Sequence, residues 1–216
     1  RPFFKEKPLS LAEHQASRWI VKPCFRLFDC CQESDGGVAV VVTSEERARD
    51  LRQTPAVILH ATQAVPFETE VVTNFYHEDL TRFDSGVAAA AELYGETGLG
   101  PDDIQVAMLY DHFTIAIFWH LEANGFCKPG EGGDFVMNGR ISVGGELPVA
   151  TNGGLLSFSH AGLAQLIQKP ISAVHQLRGE VPEELRVPNA RVALTTNGGS
   201  GALFCDVLLL GTELTA

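Results

Sequence analysis

Apolar and polar positions along this chain alternate between two periods, short β-branched runs and longer stretches with helical spacing. The run Val38–Val42 after Gly36 and Gly37 reads as a buried strand, and Ser44 followed by Glu45 and Glu46 as the cap and first turn of a short helix. Pro55 ends that unit, and Val57-Ile58-Leu59 restarts with strand-forming residues. From Ser85 an alanine-rich helix is predicted, with a Gly/Pro exit before the buried run Ile104–Leu109. Thr114–Ala123 resumes as a helix stopped by Gly125. After a glycine-rich stretch, residues 160–178 carry Leu163, Leu166, Ile167, Ile171, Val174 and Leu177 at helical spacing, with Pro170 expected to kink the helix. The tail, from Arg191 to Gly211, reads as two strands joined by the Gly-rich turn of "TTNGGSG". Together these elements predict an α/β fold, a mixed β-sheet sandwiched between helices.

The opening "RPFFKEKPLSLAEHQASRWI" reads as a linker leading into a helix, which predicts the C-terminal half of something longer. We therefore expect two units: residues 1–54, the end of a preceding domain, and residues 55–216, a C-terminal domain.

Charge and cysteine usage narrow the partners. A net charge of -11 without a Lys/Arg cluster argues against nucleic acid. The longest apolar runs fall far short of the ~20 residues of a membrane span. Five cysteines without a CxxC pair or Cys/His spacing argue against a disulfide framework and against a metal site, so a reducing cytoplasm is the expected location.

Three segments carry candidate chemistry. "LYDHFT" places Tyr110, Asp111, His112 and Thr114 where a strand ends, the position at which α/β sheets usually bind ligands. Asp111 or Thr114 could equally cap the next helix. In "VATNGGLLSFSHAGL", glycines allow close backbone approach and His160 falls at or near the start of the long helix, whose positive end would keep the imidazole neutral. The Gly-rich turn at 195–201 could cradle an oxyanion or only close a hairpin.

In their order, "LYDHFT", "GFCKPGEGGDF", "GGELPVATNGGLLSFSHAGL", "QLRGE" and "TTNGGSGALF" resemble the C-terminal half of the thiolase superfamily across nearly the whole chain. The segment "SRWIVKPCFRLFDCCQESDGGVAVVV" resembles the end of that superfamily's N-terminal domain and its substrate loop, which makes Ser34 a candidate substrate contact. The resemblance implies acyl-CoA carbon–carbon chemistry, with His160 at the position of the family's Gly-His-Pro histidine, although Ser159 and Ala161 flank it. Both usual positions of the proton-shuttling cysteine hold other residues. The Cys-x-Gly motif falls on Thr195 and Asn197, and the His-Asp-Cys-Phe segment on Tyr110-Asp111-His112-Phe113, while Cys127 and Cys205 match neither. The Tyr-Asp-His-Phe-Thr version is closest to the lipid-transfer-protein-like steroid side-chain-cleaving aldolases, in which a tyrosine at the Tyr110 position is catalytic. Retention of His160 departs from those enzymes, which carry a second tyrosine there.

The resemblance therefore implies retro-aldol cleavage of a β-hydroxyacyl-CoA, with a steroid side chain as the acyl group. Tyr110, His160, His112 and Asp111 are the expected catalytic set. Asn152, Gly153, Gly154, Asn197, Gly198, Gly199 and Ser34 are the expected substrate contacts. The CoA thioester is substrate, and no covalently bound cofactor is expected. The alternatives are a thiolase-type acyltransferase, in which His112 would stand in for a thiol, and a non-catalytic acyl-CoA- or lipid-binding protein. The resemblance also implies a homodimer or a zinc-ribbon/OB-fold partner protein.

Overall fold

The computed structural model describes residues 7–65, 79, 81–199 and 204–213. The first six residues of the expected linker and the loop of the closing hairpin lie outside them.

The chain begins with α1 (Leu11–Ala16), fixed by a capping box in which Ser10 Oγ accepts from the Glu13 amide and Glu13 accepts from the Ser10 amide. A small hairpin, β1 (Trp19–Val21) and β2 (Phe25–Arg26), follows. Residues 38–42 correct the sequence reading. They have no assigned secondary structure and join no ladder among the described residues, and Val41 is 90% exposed. A β-branched run forms a strand only where it hydrogen-bonds to a neighbouring strand, and this one does not among the described residues. After α2 (Glu45–Arg49), capped by Ser44 as expected, β3 (Val57–Ala64) enters the main sheet.

That sheet is completed by β4 (Val106–Met108), β5 (Val192–Gly199) and β6 (Phe204–Gly211), in the order β3-β6-β5-β4. Only the β4–β5 pair is parallel. Two helices cover one face: α3 (Asp84–Thr97), ended by Gly98 at φ 68, and α4 (Thr114–Ala123). There Leu93, Ile117 and Leu121 pack with Ala107, Leu109, Leu194 and Leu209. The short α5 (Gly132–Phe135) braces α4. On the other face, α6 (Ala164–Leu177) packs on Val106, Met108, Ala193 and Leu210. The mixed sheet between helices is the α/β architecture expected, and burial on both faces explains why β4 is apolar at every position.

Two further expectations change. "TTNGG" is strand, because β5 runs through Gly199 with Asn197 opposite Asp206 and Gly198 opposite Cys205. The long helix begins at Ala164 and not at His160.

The helix α6 also buries an unexpected stripe. Its buried positions are Gln165, Lys169, Ala173 and Gln176, one face at helical spacing, whereas Leu163 is 83% and Ile167 40% exposed. Each of the three buried polar side chains makes at least one hydrogen bond, which is what makes its burial tolerable. Gln176 donates to Thr151 Oγ1 and Leu185 O and accepts from the Val187 amide. Pro170 sits inside the helix without ending it. Its missing N–H would leave Leu166 O without a donor, and Asn197 Nδ2 supplies one at 3.2 Å. The outward stripe of α6, with Val40–Val42, Ile58 and Leu208, lines an apolar groove of about 540 Å3. Among the described residues no helix is long and apolar enough to cross a membrane.

Candidate active site at the end of β4

Strand parity sets where the first candidate residues go. Val106 and Met108 face α6, so Tyr110, two residues on, continues toward α6. Tyr110 is buried, its amide donating to Thr196 Oγ1 at 3.1 Å and its hydroxyl accepting from Gln165 Nε2 at 3.0 Å. The His112 ring lies on it, with centroids 4.5 Å apart. His120 of α4 stands edge-on behind, at 6.5 Å, and is itself held edge-on to Phe83.

Asp111 neither caps α4 nor faces an open space. Its carboxylate accepts from the Leu155 amide at 2.9 Å and from Lys169 Nζ at 2.7 Å, while the same Nζ donates to Leu109 O. Both side chains of that ion pair are 5% exposed. In this arrangement the carboxylate holds the "TNGG" turn and α6 onto the end of β4. The turn answers with glycine. A Cβ on Gly154, at φ 59, would lie 1.9 Å from Asp111 Oδ2, so only glycine lets the turn approach. Thr114 is the first residue of α4, its hydroxyl donating to Asp29.

The expected substrate contacts separate in the same way. Asn152 is occupied locally, its Oδ1 accepting from the Gly154 amide and its Nδ2 donating to Ser172 Oγ. Asn197 bridges Leu166 O and Asp206 Oδ2. Gly153, at φ 101, serves the turn, and Gly198 and Gly199 serve the β5–β6 ladder. All five are thus engaged in building the fold around the site.

Residues 30–34 cross the end of β4 and bring the remaining candidates together. The Cys31 amide donates to His112 O, and Cys30 bridges to Phe113. The Ser34 amide donates to His160 O, Glu33 bridges to His160, and Ser34 Oγ accepts from the His160 amide. His160 therefore lies beside the His112 segment, close enough that a charge on it lowers the His112 basicity. Tyr110, His112 and His160 gather at one end of the sheet, with Cys31 and Gln165 beside Tyr110. The sequence reading missed Gln165, Lys169 and Cys31. The i, i+4 spacing of Gln165 and Lys169 among apolar neighbours was the available signal for the first two.

Burial sets the protonation states. It pushes the Tyr110 phenol up to about 12, with Cys31, Asp111 and Asp206 adding to the rise and the Gln165 hydrogen bond opposing it. Burial, then the positive charge available to His160, pushes His112 down to about 4. Burial pushes His120 to about 3, and Cys31, largely by burial, up to about 11. At neutral pH the site therefore holds a protonated phenol, a neutral His112 imidazole and a protonated thiol.

Because the unfolded chain takes up the His112 and His120 protons near ~6.5, their contribution to stability is full above that pH and is lost as pH falls toward 4 and 3. The urea midpoint should drop across this window, and His112→Gln should flatten the drop. An equal drop in that variant would show that protonating His112 is without consequence.

A family model for "Thiolase C-terminal domain-like" matches residues 69–212. The chain is 43% identical over 172 residues to a steroid side-chain-cleaving aldolase of Thermomonospora curvata, covering 78% of this chain and 44% of that protein. It is 43% identical over 183 residues to the 17-hydroxy-3-oxo-4-pregnene-20-carboxyl-CoA lyase of Mycobacterium tuberculosis, covering 83% and 45%. The chain thus spans less than half the length of either relative. The solved Ltp2-ChsH2(DUF35) aldolase superposes with a TM-score of 0.88 at 39% identity, over 97% of this chain and 53% of that one.

Proposed function

Because the chain belongs to the thiolase C-terminal domain-like family, we propose that it carries the acid/base residues of an aldolase that cleaves a β-hydroxyacyl-CoA by a retro-aldol step. The side chain of a steroid is the acyl group that its relatives' names support. In that reaction a base takes the β-hydroxyl proton, the Cα–Cβ bonding pair becomes the thioester enolate, and an acid returns a proton to Cα. The carrying observation is the stack of a protonated Tyr110 on a neutral His112 at the end of β4, with His160 alongside. Tyr110 is the proton donor, and the two imidazoles are the acceptors for the hydroxyl. Thiolytic cleavage would instead use a proton-shuttling thiol, and the two motif positions for it hold Thr195 and His112.

The substrate loop and Val38–Val42 form the end of one domain and residues 55–216 the next, and the apolar groove along α6 and β6 is covered by further protein, a second subunit or a zinc-ribbon/OB-fold partner. The solved relative, named for both Ltp2 and ChsH2(DUF35), supports the partner. Five free cysteines support a reducing cytoplasm.

Incubating the full-length protein with its partner and a β-hydroxyacyl-CoA should release a ketone and a shortened acyl-CoA without added free CoA. Release that tracks free CoA one for one would instead identify a thiolase, and binding without release a passive carrier.

A further inference from the structure

Resting on that reading, we infer that Gln165 is a positioning residue for Tyr110: its amide occupies the phenol oxygen as a donor and so leaves the phenolic proton to be delivered into the site. The geometry is specific. Gln165 Nε2 lies 3.0 Å from the Tyr110 hydroxyl, both residues are 6% exposed, and Gln165 Oε1 has no partner among the described residues. A phenol oxygen that accepts from an amide cannot direct its own hydrogen along the same line, so the O–H is turned away from α6.

The amide is itself held in place. Gln165 sits in the first turn of α6, and the next residue's carbonyl, Leu166 O, receives Asn197 Nδ2 from β5 because Pro170 offers it no N–H. Asn197 is fixed in turn on Asp206 Oδ2 at 2.8 Å, and one helical turn on, Lys169 pins α6 to Leu109 O and Asp111. Sheet and helix therefore fix the donor from both sides of Tyr110. This gives a use to the polar stripe of α6, where an apolar one would pack as well.

The test reads the phenol directly. With 3,5-difluorotyrosine at position 110 of the full-length protein, whose phenol titrates in an accessible range, fluorine NMR follows its ionisation without substrate. Charged and titratable groups facing it are Cys31 from the crossing loop, Asp111 and His112 from the β4 exit, His120 from α4, Lys169 from α6 and Asp206 from β6. All are kept in the variants. A donor stabilises the phenolate, so Gln165→Leu should raise the midpoint by about one pH unit. Gln165→Met provides an unbranched replacement should leucine disturb the helix, and the same rise is expected. A fall in midpoint would mean that the amide accepts from the hydroxyl, and an unmoved midpoint that it does not touch it. Either result overturns the inference. Failure of the functional reading is separate, since it appears as absent cleavage by the unsubstituted protein while the midpoint still rises.

Discussion

Tyr110→Phe should leave the fold intact and lower the turnover of a β-hydroxyacyl-CoA by roughly 10²-fold or more, the usual scale for loss of a positioned acid or base. The substitution removes one oxygen. Its only hydrogen-bond partner among the described residues is Gln165 Nε2, so the structural loss is a single buried donor left without an acceptor, about 1–3 kcal/mol. The ring, which stacks on His112 and meets His120 edge-on, stays. If Tyr110 returns the proton to the enolate carbon, kcat falls while acyl-CoA binding persists, because the missing interaction matters only as the carbanion forms. A variant with unchanged kcat would remove Tyr110 from the chemistry. Equal losses of binding and turnover would make it a substrate contact.

Asp111→Ala should destabilise the protein by about 3–5 kcal/mol, the scale for stranding one member of a buried ion pair. Lys169, 4% exposed, would keep its charge with only the Leu109 carbonyl to meet it, and the Leu155 amide would lose its acceptor. Lys169→Met paired with Asp111→Asn should recover part of that loss, since no charge is then left buried and the isosteric amide oxygen can still accept from the Leu155 amide. Chemical denaturation of the two variants measures the difference. A single substitution that costs less than ~1 kcal/mol would show that water reaches the pair and that the "TNGG" turn does not depend on it.

The two predictions separate the chemistry of this site from its scaffold, a division that strand and helix patterns could not draw. Periodicity was enough to determine the elements whose neighbours are local or obligatory: the helix stopped at Gly125, the apolar β4 run, and a closing pair of strands. The order of motifs determined the family and marked Tyr110, His112 and His160 as candidates, because a motif order survives where single residues differ. Tertiary structure decided what depends on a partner distant in sequence. Val38–Val42 has strand composition but pairs with no strand among the described residues. Asp111 looks like an acid in "LYDHFT", yet a lysine 58 residues later takes it up as a brace. Asn197 reads as a turn residue, and a proline in another element gives it a carbonyl to satisfy. Gln165 and Lys169 stand in a helix marked in the sequence by its apolar spacing, but the face that meets the sheet is the polar one, since β4 ends there with a phenol, a carboxylate and an open carbonyl that need donors. Hydrophobic spacing records which residues avoid water. It carries no record of which polar groups find one another.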